Sequence, residues 1–115
     1  MHEAIKALED SLGGDSSTYC PPDIERDEFL SAERDSLRSL IVEPEWTTAK
    51  TTDWVREHGQ FDQSEYRMLV VAGENKSWLL YDPSTKQFSL ANGQRESDLV
   101  LVGYRSEDAL AEWRG

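Results

Sequence analysis

Few residues in this 115-residue chain are of types that could do chemistry: two histidines, His2 and His58, one cysteine, Cys20, and 23 aspartates and glutamates. Nucleophilic hydrolysis needs a serine or cysteine held beside an oriented base. His2 stands at the start of the chain. His58 precedes Gly59 at an expected helix end, where an imidazole serves as partner to the helix dipole before it serves as a base. Cys20 is followed by Pro21 and Pro22, and no nearby base lowers its pKa, so it reads as an unreactive thiol. Two distant histidines and one cysteine make no metal-ligand spacing, and the acidic run lacks the glycine of a calcium loop. Leu12-Gly13-Gly14-Asp15 has neither the lysine nor the preceding strand of a phosphate loop. Paired carboxylates abound, but a general acid must be desolvated, and sequence does not rank them by burial. The expectation is a non-enzyme with no catalytic residue, no metal and no cofactor.

Charge carries more information. Twelve basic against 23 acidic residues give a net charge of -11. Residues 1–65 hold 16 acids and 6 bases, net -10, and residues 66–115 hold 7 acids and 6 bases, net -1. An acidic face repels nucleic-acid phosphate and anionic lipid and steers a basic protein toward itself. Solubility alone accounts for the same surplus. Helical spacing nominates Glu25, Asp27, Glu28, Glu33 and Asp35 as partner-binding acids, a row that a solvated helix face also explains. Among the four tryptophans, Trp78 and Trp113 fall within strand and helix patterns and are assigned to the core. Trp46 and Trp54 lie in the middle of the chain, where the pattern is ambiguous, and are the candidate contact aromatics.

The elements that position these residues follow from periodicity. Ala4, Ile5, Leu8 and Leu12 form one stripe of a first helix that Gly13-Gly14 ends. After a loop through Pro21-Pro22, Asp23 is the expected N-cap of a second helix running from Ile24 to about Leu40, with Phe29, Leu30, Leu37, Leu40 and Ile41 near one side. Arg34 and Arg38 can pair with acids a turn away. Leu40-Ile41-Val42 fits either a last helical turn or a short strand, and Trp46 to Thr52 fits either an extended segment or a Thr-capped helix start. Asp53 to His58 reads as helical, stopping at Gly59.

The stretch from Tyr66 to Trp113 organises the rest. Arg67 to Ala72 and Ser77 to Asp82 are strands joined by a Gly73-to-Lys76 hairpin, and Gln87 to Ala91 follows a turn carrying Asp82, Pro83 and Ser84. Asn92-Gly93 offers residues that tolerate positive φ, and Asp98 to Tyr104 makes a fourth strand. Short connections make the sheet antiparallel. Ser106 caps a terminal helix whose Ala109, Leu110 and Trp113 face inward. The fold class is therefore α+β: N-terminal helices packed on an antiparallel sheet of four or more strands, closed by a short C-terminal helix, in a single domain over 1–115. One cysteine rules out an internal disulfide, no apolar run reaches the ~20 residues of a membrane span, and Met1-His2-Glu3-Ala4 lacks a signal-peptide pattern, so a cytoplasmic protein is expected.

Ile5-Lys6-Ala7-Leu8-Glu9-Asp10-Ser11-Leu12-Gly13, then Pro21-Pro22-Asp23-Ile24, then Phe29-Leu30, resembles the opening of the SUKH superfamily. There a short helix ending in Leu-Gly precedes a Pro- and acid-containing helix start and an aromatic-Leu pair. The order of later elements is similar too, with a Trp-x-x-Tyr-Asp strand at Trp78 to Asp82 and a Ser-started terminal helix at Ser106 to Trp113. The resemblance implies an immunity protein that neutralises a basic toxin of nuclease or deaminase type, with carboxylates occupying the toxin's phosphate cleft. A small enzyme or ligand-binding domain using a groove beside the sheet is the alternative, and a DNA-mimic inhibitor is a third.

Overall fold

Two periodicities meet in this chain, a helical stripe near each end and a strand alternation of period two between them, and the alternation supplies apolar side chains to both faces of one curved sheet. The computed structural model describes residues 2–114. In chain order the elements are α1 (Glu3–Leu12), α2 (Arg26–Arg38), β1 (Ile41–Lys50), α3 (Asp53–His58), β2 (Glu65–Glu74), β3 (Ser77–Asp82), β4 (Gln87–Asn92), β5 (Leu99–Ser106) and α4 (Ala109–Arg114). The sheet is antiparallel from β1 through β5, as the short connections require. It then closes on itself into a barrel, through a parallel contact of β1 with β5 at Ala49–Leu99 and Lys50–Val100.

Closure divides the apolar residues into two cores. All five strands send side chains inward, among them Ala49, Met68, Val70, Leu80, Ala91, Leu99 and Leu101, and Val55 and Phe61 join them. On the outer face Leu69, Val71, Leu79, Tyr81 and Phe88 meet Ala4, Leu8 and Leu12 of α1, Leu30 and Leu37 of α2, and Ala109 and Leu110 of α4. A barrel of so few strands has room for side chains only. Alternation along each strand therefore feeds both cores, and the β2 bulge between Val70 and Ala72 shifts Val71 and Ala72 together to the helix side.

The ambiguous middle of the chain is a strand followed by a helix. Pro44 lies where the β1 register shifts between Ile41 and Glu45, a bulge at which a residue without an N–H costs no ladder bond. Thr52 then caps α3, its hydroxyl accepting from the Val55 N–H at 3.2 Å.

Several local expectations are corrected. The N-cap of α2 is Glu25, not Asp23: Pro21 to Ile24 form a turn of their own, with the Ile24 N–H donating to the Pro21 carbonyl at 3.2 Å, and this delays the helix. The Glu25 carboxylate accepts from the N–H groups of Asp27 and Glu28. Positive φ falls on Asn75 (55°), Lys86 (60°) and Gly103 (132°), not at Asn92-Gly93. Gly73 belongs to β2 rather than to its turn, and the Trp78 ring occupies the space a side chain there would need, 2.4 Å from an added Cβ. Ser106 ends β5, and its hydroxyl accepts from the Asp108 N–H at 3.2 Å, while the Asp108 carboxylate accepts from the Ala111 N–H of α4 at 3.1 Å. His2 caps α1, its Nδ1 accepting from the Ala4 N–H at 3.0 Å.

Candidate functional site

At the barrel seam aromatic and charged side chains converge. Strand β1 pairs with β5 only at its last two residues, so Glu45 to Thr47, paired with β2 on one side, have no strand on the other, and the β4–β5 connection Gln94 to Ser97 spans that gap. A cleft of about 570 Å³ results, lined by Glu45, Trp46, Thr47 and Trp78 on one side and Gln94, Arg95, Glu96 and Ser97 on the other. Barrel mouths are a recurrent place for ligands because strand ends leave side chains converging on unfilled space.

Each lining residue is positioned by a different local device. Trp78 lies across Gly73, and its indole N–H donates to the Gly93 carbonyl at 3.1 Å, which ties β3 to the connection. The Thr47 hydroxyl donates to the Glu96 carbonyl and anchors the connection to β1. Trp46, on the outward side of β1, is 53% exposed, and the Arg67 guanidinium of β2 lies over its ring at 5.6 Å from the centroid. Burial raises the Glu96 carboxyl above the ordinary range, and Glu45, a second acid within hydrogen-bonding reach, raises it further. Among the described residues neither Glu45 nor Glu96 forms an ion pair.

The nominated partner-binding residues divide by location. Asp27 and Glu28 are exposed in the first turn of α2, and Asp35 is exposed near its end, 3.3 Å from Arg38. Glu25 is exposed but engaged as the cap. Glu33 lies on the flank between the apolar and outer faces, half-buried against Arg114 at 3.0 Å, because it follows Phe29 and Leu30 by one helical turn. Trp54 is 54% exposed on α3 and stacks on His58 at 5.1 Å, so the two nominated tryptophans stand on different elements. His58 Nδ1 is 3.2 Å from the Trp54 carbonyl oxygen at the helix end. Trp78 and Trp113 pack against the inner and outer cores. Cys20 is half-buried, its sulfur 3.5 Å from the Pro21 and Ile24 carbonyls.

Glu45, Trp78 and Glu96 were not among the nominated residues. Glu45 has a readable signal, an acid in phase with inward-facing Thr47 and Ala49. Glu96 has none, since its place depends on barrel closure. Among the described residues no three His, Cys, Asp or Glu side chains gather as a metal-binding group, and no helix is long and apolar enough to cross a membrane. No family model, no curated protein and no solved structure matches the chain.

Proposed function

We propose that this protein is a non-catalytic binding module for a basic protein, and that an immunity role against a basic toxin of nuclease or deaminase type is its specific form. One observation supports this above others: in the acidic half the arginines are turned to the protein's own acceptors while the carboxylates face out. Arg26 donates to the Ser16 and Thr18 carbonyls, Arg34 to the Gly14 carbonyl at 2.8 Å, Arg38 to Glu9 and Asp35, and Arg56 to Thr51 and Asp53. These positive groups are thereby held at short range by the protein's own acceptors, and Asp27 and Glu28 stand exposed without such partners among the described residues. An outward surplus of negative charge speeds association with a basic surface and weakens with salt.

The test is capture from the native lysate at low and high salt, with Asp27→Lys/Glu28→Lys beside the wild-type protein. The expected result is one basic partner, bound about tenfold or more weakly by the charge-reversed variant at low salt, with the gap narrowing as salt screens both. An absent partner at both salts, or one indifferent to salt and to the reversal, overturns the proposal.

A further inference from the structure

We infer that the seam cleft is the anchor pocket for an arginine side chain of the basic partner. The inference rests on the basic-partner reading above and adds where on the molecule that partner is gripped. Three observations converge. The cleft, about 570 Å³, exceeds what one side chain needs and has indole walls in Trp46 and Trp78. Trp46 carries a guanidinium, that of Arg67, at 5.6 Å from its ring centroid, an instance within the fold of this indole taking a planar cation. Glu45 and Glu96 present two neighbouring carboxyl groups to the same space without an ion-pair partner among the described residues.

Charge complementarity selects the occupant. Two adjacent carboxyl groups disfavour each other's ionisation, and a cation between them relieves that penalty while a neutral or anionic group does not. Burial first and the neighbouring Glu45 second hold the Glu96 carboxyl above the ordinary range. A guanidinium meets both demands of the cleft at once, since its fork of donors matches paired carboxylates and its face lies flat on an indole. Lysine ammonium satisfies the charge but not the stacking. Arg95 lines the same cleft and offsets one of the two carboxyl groups, so the cleft keeps a net negative charge.

The test uses the tripeptide acetyl-Gly-Arg-Gly-amide as probe, with its citrulline counterpart as the neutral isostere, followed by amide and indole NMR shifts. The expected result is shifts confined to Glu45–Thr47, the Trp78 indole and Gln94–Ser97, with the arginine peptide bound at least about fivefold more tightly than the citrulline one. Glu45→Gln/Glu96→Gln should abolish that preference, and Asp27→Lys/Glu28→Lys should leave the map of shifts unchanged. Equal binding of the two peptides, or shifts elsewhere, overturns the pocket. A basic protein partner lost on reversal of Asp27 and Glu28 yet unaffected by the double glutamine variant overturns the pocket and spares the wider reading. A selective pocket with no basic protein partner does the reverse.

Discussion

The two ends of the barrel are finished in opposite ways. At the end carrying the β1–β2 connection, Val55 and Phe61 fill the interior, and Tyr66 meets the Phe61 ring edge-on at 4.9 Å. The backbone there is satisfied from within: the Gln60 N–H donates to the Gly103 carbonyl at 2.8 Å, and the Gln60 side-chain oxygen accepts from the Arg105 N–H at 2.8 Å. At the end carrying the β4–β5 connection, Glu45 and Glu96 face a cleft and Trp46 faces solvent. The first end is closed by buried aromatic and aliphatic side chains, which contribute to stability. The second end keeps crowded carboxyl groups and the Trp46 indole at the surface.

The largest test of that division is a pair of aromatic truncations. Phe61→Ala empties the plug and should cost about 3–5 kcal/mol in urea denaturation, as other buried aromatic deletions do. Trp46→Ala, at a side chain more than half exposed, should change stability by no more than about 0.5 kcal/mol. Gly59→Ala should act in the direction of Phe61→Ala, because an added Cβ would lie 2.6 Å from the Gly103 carbonyl oxygen and 2.9 Å from that of Val55. A loss at Trp46 as large as at Phe61 would break the comparison.

Two carboxylates carry the same contrast at a smaller scale. Burial pushes the Asp108 carboxyl up, but donation from the Ser17 and Ala111 N–H groups and the Ser16 and Ser17 hydroxyls outweighs it and leaves the group below the ordinary range. This residue pins the Ser16 to Thr18 loop to the start of α4. Asp108→Asn should cost about 1–3 kcal/mol, since it turns an amide N–H₂ toward existing donors. With the folded pKa lowered, the stabilisation is complete above the unfolded value near 3.8 and disappears as pH falls through the folded value. The asparagine variant should therefore lack that part of the wild-type acid transition.

Much of this architecture was readable before the structure. Strands β2 to β5, helices α1, α3 and α4 and the core positions Leu8, Leu37 and Leu110 follow from local periodicity and turn chemistry, which act over a few residues. Barrel closure was not readable, because it depends on Ala49 and Lys50 meeting Leu99 and Val100 about fifty residues later. The strand that makes this contact carries Glu43-Pro44-Glu45 directly after Ile41-Val42, a polar interruption that hides its alternation. The cleft went unread for the same reason. Trp46 was nominated for its type, but its neighbours Trp78 and Glu96 come together with it only through the seam.

Glu96→Gln asks whether the mouth carboxyl is a structural piece like Asp108 or a spare group. Its pKa is raised by burial first and by Glu45 second, so the folded state holds its proton to higher pH than the unfolded chain does. Stability contributed by the protonated group is therefore present below the ordinary glutamate value of 4.5 and lost as pH rises through the folded value. Glutamine has no proton to lose. The variant should be more stable than the wild type at neutral pH by a few tenths, roughly 0.2–0.5 kcal/mol, a small gain because the group is only partly buried. That gain should vanish below pH 4.5, which parallel urea denaturations across pH would show. Glu45→Gln should move the Glu96 titration down without returning it to the ordinary range, since the larger cause, burial, stays in place. A loss of 1 kcal/mol or more at neutral pH in Glu96→Gln, on the order of a broken structural hydrogen bond, would place Glu96 beside Asp108 as part of the fold and leave the cleft without a spare carboxyl.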